Sequence, residues 1–478
     1  MDGQGFKFRK ELSIQETPIP GLLVIDLPVH GDSRGWFKEN WQREKKLAIG
    51  LPDFGPVQNN ISFNAEAGVT RGIHAEPWDK YVSVGSGHIF GAWVDLREGK
   101  TFGKVFTTKI DPSKAVFVPR GVGNAFQALQ DNTVYTYLVN DHWSQEAQDQ
   151  YVSLNLADKT ANINWPIPLD QAEVSDKDKK NLKLSEITPI KPKKNLIIGA
   201  YGQLGRALQA EFPDAECVDR DTLDISDPAI ITSRNWRQYD TILNAAAYTA
   251  VDLAETESGR KDAWQSNATA LRHLALISKE YGVTIVHVST DYVFDGTIAE
   301  HTETEPFSPL GVYGQSKAAG DIAISTTPRH YIVRTSWVIG DGKNFVLTMK
   351  SLAEKGVEPS VVDDQVGRLT FTSDLAKGIK HLIDTKSPFG TYNLTNKGSS
   401  ASWAEVAKKV YVLTGRKESD VKPVSTKKYY GDSKDIAPRP LQSTLNLDKI
   451  EATGFIPRDW QEALAEYLDN HKDTKKET

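Results

Sequence analysis

The hydrophobic pattern of the chain changes near residue 190, and this change limits the fold more than any other feature. Before that point, short runs rich in valine, threonine, phenylalanine and tyrosine are interrupted by glycine, proline, aspartate and asparagine. Short strands at such spacing predict a β-sandwich or barrel. After that point, apolar strands alternate with amphipathic helices, which predicts a doubly wound parallel sheet. We therefore expect two large domains in the 478 residues.

The boundaries follow from this change of pattern. We predict an all-β domain over residues 1–188, a linker over 189–194 and an α/β domain over 195–478. Two prolines and a lysine cluster make the linker typical of a stiff, solvated segment. The clearest predicted strands are residues 81–84, 88–94, 105–108, 133–139, 195–198, 241–244, 284–288 and 331–334, with a helix over 268–281.

Charge and cysteine content exclude several classes of protein. The formal net charge is −6, from 57 basic and 63 acidic residues. This balance argues against non-specific binding to nucleic acid or to a membrane surface. The single cysteine, Cys217, cannot form an internal disulfide or a cysteine metal cage, and no apolar run approaches the ~18 residues that span a bilayer. We expect a cytoplasmic protein with neither nucleic acid nor membrane as a partner.

A glycine loop opens the second half. Gly199–Gly205 follows a predicted strand and begins a helix, so its glycines allow a tight turn and a close approach of a pyrophosphate to the helix N-terminus. The loop alone is weak evidence, because a plain strand–helix turn is the alternative explanation. Its context favours a dinucleotide site, because further polar residues follow at the ends of later strands.

A tyrosine and a lysine lie one helical turn apart in the same half. Tyr313 and Lys317 stand at positions i and i+4, and such residues share one helix face. A lysine ammonium beside a phenol favours the phenolate, so the tyrosine could exchange a proton at neutral pH. Thr290, at the end of an earlier predicted strand, could hold the same substrate oxygen. Such a pair on its own is usually plain surface.

Residues from about 195 to 470 resemble the dTDP-4-dehydrorhamnose reductase family of extended short-chain dehydrogenases/reductases. The resemblance covers nearly the whole half, and the motifs occur in the family's order. They are Gly199–Gly205, Leu223–Ile225, Asn244–Asp252, Ser289–Gly296, Arg334–Trp337, Asp363–Gly367 and Arg439–Pro440. The resemblance implies a Rossmann fold and transfer of a hydride from a nicotinamide cofactor to the C4 ketone of a sugar.

The same resemblance assigns roles to individual positions. It implies that Tyr313 donates the proton, that Lys317 tunes Tyr313 and binds the nicotinamide ribose, and that Thr290 orients the ketone. The other implied positions are Gly199, Gly202, Gln203, Leu204 and Gly205 for the pyrophosphate, Asp224 and Ile225 for the adenine, Ala247, Tyr248 and Thr249 for the cofactor, and Asp291 and Trp337 for the substrate.

The sequence leaves two cofactor readings open. The second strand ends at Val218–Asp221. An acidic residue there could bind the ribose hydroxyls of NAD, whereas Arg220 could accept the 2′-phosphate of NADP. We expect NADPH, with NADH tolerated.

Polar residues in the first half suit removal of a carbon-bound proton. That chemistry needs a base, a carboxylate that orients it, a cation for the enolate, and an acid on the opposite face. Any one of these residues is equally well a polar side chain lining a barrel. His74 has no second histidine nearby, so we expect no metal site.

Most of residues 15–180 resemble the dTDP-4-dehydrorhamnose 3,5-epimerase family, which implies a metal-independent, cupin-like jelly roll. The resemblance implies that His74 is the base, Asp178 its orienting partner and Tyr137 the acid. It also implies that Lys80 stabilises the enolate. The implied sugar-nucleotide positions are Arg34, Glu39, Gln58, Asn60 and Arg71.

Two departures from this family stand out. Asn124 replaces a histidine, and an asparagine can donate a hydrogen bond but cannot carry charge. The segment between His74 and Lys80 is also shortened.

Together, the halves suggest a bifunctional enzyme that epimerises a dTDP-4-dehydro-6-deoxy-sugar and then reduces it to dTDP-L-rhamnose. We expect a homodimer formed through the N-terminal domain. Two alternatives stay open: a reductase of opposite C4 stereochemistry that yields dTDP-6-deoxy-L-talose, and an N-terminal half that binds the sugar nucleotide or dimerises without catalysis.

Overall fold

The computed structural model describes residues 7–142, 150–431 and 436–471. The chain divides into two compact units, Met1–Pro192 and Lys193–Thr478. Part of the predicted linker is integrated into the first unit: the Ile190 N–H donates to the Leu96 carbonyl at 2.8 Å, and its own carbonyl accepts from Glu98.

The N-terminal unit is built mainly from antiparallel strands. Its strands are β1 (Ser13–Glu16), β2 (Leu23–Asp26), β3 (Val29–Asp32), β4 (Gly35–Lys38), β5 (Gln58–Asn64), β6 (Thr70–Ala75), β7 (Lys80–Ser86), β8 (Ile89–Asp95), β9 (Val105–Ile110), β10 (Lys114–Val118), β11 (Val122–Ala128), β12 (Thr133–Val139) and β13 (Val152–Ser153). Two short helices, α1 (Arg43–Ala48) and α2 (Asp176–Lys179), complete the unit as described.

Two sheets form the N-terminal sandwich. One has the order β1-β2-β10-β7-β12-β5 and the other β13-β6-β11-β8-β9, while β3 and β4 pair as a separate hairpin. Apolar side chains from both sheets meet in one buried cluster, which includes Val82 and Val84 of the first sheet and Trp93 and Phe126 of the second. This two-sheet arrangement is of the jelly-roll type, as the short, frequently interrupted strands predict.

The C-terminal unit alternates strands and helices. Its strands are β14 (Lys194–Ile198), β15 (Glu216–Val218), β16 (Tyr239–Asn244), β17 (Thr284–Thr290), β18 (His330–Thr335), β19 (Val338–Ile339), β20 (Ser360–Val362), β21 (Val366–Gly367), β22 (Thr370–Phe371), β23 (Gly390–Asn393), β24 (Ala401–Ser402) and β25 (Lys422–Val424). Its helices are α3 (Gln203–Glu211), α4 (Glu257–Trp264), α5 (Ala270–Tyr281), α6 (Val312–Ser325), α7 (Phe345–Glu354), α8 (Thr372–Asp384), α9 (Trp403–Leu413), α10 (Thr426–Tyr430), α11 (Asp448–Glu451) and α12 (Trp460–Asn470).

The central sheet of this unit is parallel, with the order β15-β14-β16-β17-β18-β23. Its strands are apolar on both faces because helices cover both sides. Ile198 of β14 packs into the cluster that contains α5, whereas its neighbour Ile197 packs into the cluster that contains α3 and α8. The chain passes from β14 to β15 on one side and then to β16 on the other. This reversal creates a crevice at the carboxyl ends of β14 and β16, where ligands bind in such sheets.

One helix starts later than the sequence predicts. The predicted helix over 268–281 begins as an α-helix only at Ala270, because Gln265–Thr269 form a π-helical turn. Such turns are frequent at functional sites. In the part of the chain that the structure describes, no helix is both long and apolar enough to cross a membrane.

We predict that the two units fold independently when expressed as residues 1–192 and 193–478, because each has its own buried cluster. Each piece should give a cooperative thermal unfolding transition that matches one transition of the full chain in calorimetry. As the control, the chain is divided between β11 and β12. This division puts strands of one sandwich into separate pieces, so it should abolish cooperative unfolding of the N-terminal unit. A missing transition in either 1–192 or 193–478 would contradict independent folding.

Candidate active sites

A cavity of about 360 Å³ opens in the N-terminal sandwich. Six of the residues predicted from the sequence line it: Arg71, His74, Lys80, Asn124, Tyr137 and Asp178. These residues come from β6, β7, β11, β12 and α2, so elements far apart in sequence converge on one space. We call this cavity the N-terminal site.

His74 and Asp178 form a hydrogen-bonded pair in the N-terminal site. His74 Nε2 lies 2.7 Å from Asp178 Oδ1, and the Ser175 hydroxyl caps α2 so that the carboxylate is fixed. Burial pushes the pKa of Asp178 up, but hydrogen bonds from His74, the Gly72 N–H and Ser175 outweigh burial and lower this pKa. Asp178 is therefore ionised, and it holds the Nε2 proton so that Nδ1 can accept another.

Lys80 and Tyr137 lie close together in the same cavity. Lys80 Nζ is 5.4 Å from the centre of the Tyr137 ring and makes a salt bridge of 2.5 Å with Glu76. Burial and the Glu76 charge raise the pKa of Tyr137, so its hydroxyl keeps its proton at neutral pH. Glu76 also lines the cavity, and the sequence argument did not single it out.

Asn124 stands directly opposite His74 in the β11–β6 pairing. Its side-chain amide donates to the Tyr135 hydroxyl at 3.0 Å, and the Tyr135 ring stacks on Phe126 with centroids 4.1 Å apart. Burial raises the pKa of Tyr135. The asparagine at this position thus fixes a second buried tyrosine behind Tyr137.

The remaining N-terminal predictions lie elsewhere. Arg34 is in the turn between β3 and β4, pairs with Asp32 and is 87 % exposed, while Glu39 pairs with Lys45 at 3.0 Å. Gln58 and Asn60 are on the edge strand β5, where Gln58 donates to Asn60 at 2.9 Å. None of these four belongs to the cavity lining as described.

The glycine loop occupies the crevice between β14 and β16, and its glycines differ in what they require. Gly199 has a φ of +73°, and a Cβ there would meet the Ala246 nitrogen at 2.8 Å. A Cβ at Gly205 would lie 2.2 Å from the Gly199 carbonyl oxygen. At Gly202, by contrast, the nearest atom is 3.4 Å away, so protein packing alone does not demand glycine there. Room at this exposed position suits a close-approaching ligand.

The side chain of Gln203, at the start of α3, is only partly hydrogen-bonded by the protein. Its amide nitrogen donates to the Lys343 carbonyl at 3.2 Å, but its Oε1 is buried and without a protein hydrogen bond. Leu204 beside it is buried in the core.

Tyr313, Thr290 and Asp291 form the C-terminal site at the carboxyl end of β17. The Thr290 hydroxyl donates to Asp291 Oδ1 at 3.0 Å, and Asp291 Oδ2 is buried without a partner in the described structure. Burial raises the pKa of Asp291 to about 6. Burial and the nearby Asp291 charge also raise the pKa of Tyr313.

The ammonium group of Lys317 is directed into the protein. Lys317 Nζ donates to the Val288 carbonyl at 2.7 Å and lies 3.3 Å from His287 Nε2. Burial lowers the pKa of Lys317 to about 8. The acidifying effect on Tyr313 that the sequence suggested is thus outweighed in the free chain, because burial and Asp291 both act in the opposite direction.

The predicted cofactor positions lie around the same crevice. Ala247 and Thr249 are exposed after β16, and Tyr248 between them is held at its N–H by the Asn267 side chain at 2.9 Å. The Asp224 carboxylate accepts from the Ser226 hydroxyl at 2.6 Å, and Ile225 next to it is buried. Asn267 lies in the π-helical turn and also donates to Ser316.

Trp337 follows β18 with a φ of +47°. Its indole stacks on that of Trp403 with centroids 3.7 Å apart and an interplanar angle of 15°. The ring is half-buried, so one part remains available to a ligand.

No functional role was predicted from the sequence for Glu76, Asn267, His287, Asp321 or Arg334, although Arg334 lies in one of the family motifs. Glu76 and Lys80 have an i,i+4 spacing. That spacing brings side chains together in a helix, whereas this segment connects β6 to β7, so the spacing alone did not predict the pair. Among the described residues, no group of three or more His, Cys, Asp or Glu side chains is placed to hold a metal ion.

Known families match both units. Residues 193–472 match the family described as RmlD substrate binding domain, and residues 16–186 match the family described as dTDP-4-dehydrorhamnose 3,5-epimerase. The chain is 53 % identical over 192 residues to a protein named RmlC homolog from Streptococcus pyogenes serotype M6, covering 39 % of this chain and 96 % of that protein.

Proteins similar to the second unit include reductases. The dTDP-4-dehydrorhamnose reductase of Aggregatibacter actinomycetemcomitans is 36 % identical over 285 residues, which are 56 % of this chain and 96 % of that enzyme. A crystal structure of dTDP-4-dehydrorhamnose reductase from Bacillus anthracis str. Ames in complex with NADP has 35 % identity and a TM-score of 0.53, and the match covers 58 % of this chain and 99 % of that one. The chain therefore belongs to the dTDP-4-dehydrorhamnose reductase family over its C-terminal unit and to the dTDP-4-dehydrorhamnose 3,5-epimerase family over its N-terminal unit.

Proposed function

We propose that this protein is a bifunctional enzyme of dTDP-L-rhamnose biosynthesis. The N-terminal unit inverts C3 and C5 of dTDP-4-dehydro-6-deoxy-D-glucose, and the C-terminal unit then reduces the C4 ketone with NADPH. The observation that carries this proposal is the presence of a base–carboxylate pair, a cation and a protonated tyrosine in one N-terminal cavity, in the same chain as a reductase crevice. We also propose that the sandwich is a cupin-like jelly roll with its site inside.

In the N-terminal site, His74 removes a proton through Nδ1. Protons at C3 and C5 both flank the C4 ketone, so both are acidic through a common type of enolate. Lys80 supplies positive charge for the enolate oxygen, and Glu76 holds the lysine in place. Tyr137, whose pKa is raised by burial, returns a proton to the opposite face. Asn124 holds the Tyr135 hydroxyl in place behind the acid, and burial keeps Tyr135 neutral by raising its pKa.

In the C-terminal site, Tyr313 protonates the C4 oxygen. NADPH supplies the hydride when bound. Because the pKa of Tyr313 is raised, the tyrosine is protonated before reaction and acts as the acid when negative charge builds on the oxygen. Thr290 orients the ketone, and Asp291 and Trp337 contact the sugar nucleotide.

The residues around the glycine loop fit a dinucleotide. The open space at Gly202 accepts a pyrophosphate, and the unpartnered Gln203 Oε1 is available to a ligand donor. We assign Gly199, Leu204 and Gly205 to the shape of this loop, Asp224 and Ile225 to the adenine end, and Ala247, Tyr248 and Thr249 to the strand end. Arg220, which is 73 % exposed, is placed on the surface where a 2′-phosphate could reach it.

We further propose that the protein forms a homodimer through the N-terminal unit. Strand β5 is at the edge of its sheet and exposes Ile61 by 70 % and Phe63 by 59 %. An apolar edge strand is a template for pairing with another chain. In that arrangement Arg34, Glu39, Gln58 and Asn60, which lie outside the cavity lining, would bind the nucleotide.

Replacing the base should abolish the first reaction only. We predict that His74→Ala slows exchange of solvent deuterium into C3 and C5 by about 10²–10⁴-fold, because the cavity lining as described contains no other histidine that could act as the base. NADPH binding should be unchanged, and NMR of the sugar measures the exchange. His88→Ala, outside the cavity, is the control and should exchange at the parent rate. Exchange at the parent rate in His74→Ala would remove His74 as the base.

Replacing the acid should abolish the second reaction only. We predict that Tyr313→Phe lowers NADPH consumption by about 10²–10⁴-fold while deuterium still enters C3 and C5, because phenylalanine keeps the ring and loses the proton. Tyr411→Phe, which removes a buried hydroxyl bonded to the Val357 carbonyl, is the control for lost hydroxyls in this unit. Consumption of NADPH at the parent rate would show that another group is the acid.

A methyl group at Gly202 should weaken cofactor binding without unfolding the protein. We predict that Gly202→Ala changes the free energy of unfolding by less than about 1 kcal/mol but raises the Kd for NADPH at least about tenfold, because the methyl occupies the ligand face of the loop. Calorimetry and fluorescence titration measure the two quantities. Gly205→Ala, which forces a contact of 2.2 Å, should instead lower stability. Unchanged NADPH affinity in Gly202→Ala would contradict this placement of the pyrophosphate.

A further inference from the structure

A chain of buried polar side chains lies beneath the C-terminal site. It runs from Asn244 on β16 through His287 on β17 and Lys317 on α6 to Asp321 and Arg334, and each residue is at most 3 % exposed. Of these five residues, only Lys317 receives a role from the family resemblance. Buried polar groups of this kind are expensive unless their hydrogen bonds are satisfied, so the positions of their protons are constrained.

Asn244 fixes which nitrogen of His287 carries the proton. Asn244 Oδ1 accepts from the Ala246 N–H at 3.3 Å, so its amide nitrogen faces His287 Nδ1 at 3.1 Å and donates to it. A neutral imidazole has one donor and one acceptor. With Nδ1 as the acceptor, the proton must be on Nε2. His287 is neutral, because burial lowers its pKa well below the usual value, and any positive charge on Lys317 lowers this pKa further.

This tautomer presents an N–H to Lys317. His287 Nε2 is 3.3 Å from Lys317 Nζ, which itself donates to the Val288 carbonyl. A lysine ammonium has three donors and no acceptor, whereas the neutral amine has a lone pair. If Lys317 were an ammonium, its N–H and the His287 Nε2–H would both be donors and could not bond to each other. If Lys317 is a neutral amine, its lone pair accepts the His287 Nε2–H. The other acceptor near Nε2, Asp321 Oδ1, is 3.7 Å away, which is too long for a hydrogen bond.

We propose that His287 is a positioning residue of the reductase site: with its tautomer fixed by Asn244, it donates its Nε2 proton to Lys317 and favours the neutral amine of that lysine. The proposal rests on the reductase function proposed above. It gives Lys317, one turn after Tyr313 on α6, a proton affinity low enough for its ammonium to pass a proton to the Tyr313 phenolate; the resulting amine then takes a proton from solvent to complete the cycle.

The charges around Lys317 act in both directions. On its own helix, the Asp321 carboxylate favours the ammonium, but Asp321 is already paired with Arg334 of β18 at 3.0 Å. Tyr313, one turn earlier, is neutral. On β17, His287 faces Lys317 directly, and Asp291, just after β17, acts electrostatically on Tyr313. Burial lowers the pKa of Lys317 to about 8 against the attraction of Asp321, and the His287 N–H acts in the same direction as burial.

The consequence is an alkaline limit on reduction that belongs to Lys317. If the ammonium is the form that returns the proton to Tyr313, kcat falls as pH rises through the pKa of Lys317. Tyr313 does not cause this limit, because its own pKa is raised. A change that removes the opposing N–H raises the pKa of Lys317, so the decline in kcat moves to higher pH.

The test measures the pH profile of kcat for NADPH oxidation by the full-length protein with saturating dTDP-4-dehydro-6-deoxy-D-glucose, from about pH 6 to about pH 10. Deuterium exchange at C3 and C5 is followed at each pH to verify that epimerisation does not limit the rate. In the parent, the alkaline midpoint should lie near pH 8, well below the ordinary lysine range of about 10.4.

Two variants change the proton placement in different ways. His287→Gln offers an amide oxygen to the ammonium, and Asn244→Ala leaves His287 in place but frees its tautomer. Both should move the midpoint upward by about one pH unit, the equivalent of one hydrogen bond. His381→Gln, which changes a half-buried histidine bonded to Thr453, is the matched control and should not move it.

Each outcome decides the question. A parent midpoint above about pH 10 overturns the proposal without any variant. Midpoints that stay in place or move downward in a folded variant also overturn it, and if His287→Gln does not unfold cooperatively, Asn244→Ala decides. A parent protein that epimerises its substrate but consumes no NADPH would contradict the proposed reductase function, which is a different failure from an unmoved midpoint.

Discussion

Desolvation is the constraint on which both sites depend. Asp178, Lys317 and Asp321 are ionisable groups that are almost fully buried, and His74, whose side chain is 35 % exposed, is bonded to one of them, so each group depends on a partner that fixes its charge state. In the N-terminal unit, Asp178 of α2 is the partner of His74 on β6. In the C-terminal unit, His287 on β17 is the partner of Lys317, and Arg334 on β18 is the partner of Asp321. Rigid strands on both sides hold these partners in place, so the reactive atoms are positioned before any substrate arrives.

Features that the sequence encodes locally were predictable. The glycine loop and the Tyr313–Lys317 spacing depend on residues within one turn, and the hydrophobic alternation that changes near residue 190 led to the two sheet types, which the structure and the family matches confirm. His287 and Asp321 could not be found in this way. Each is a polar residue inside an apolar element, and only the pairing of β16, β17 and β18 brings their neighbours together.

The fusion of the two units has a chemical logic. Epimerisation beside a ketone is reversible, because the same enolate can be protonated on either face, whereas hydride transfer removes the ketone that makes those protons acidic. A single chain supplies the two activities in a fixed ratio, so the product of the N-terminal site never lacks a reductase site. Each unit nevertheless keeps its own buried cluster, which lets the two sites be altered separately.

The stacked indoles of Trp337 and Trp403 have an optical consequence. Two indoles stacked 3.7 Å apart are close enough for their strong far-ultraviolet transitions to couple, and such coupling splits the circular dichroism into two bands of opposite sign when the transition dipoles are twisted relative to each other. Because we propose that Trp337 contacts the sugar nucleotide, a ligand that rotates one ring would alter the band pair. The reductase unit therefore carries a built-in chromophore that reports occupancy without any label.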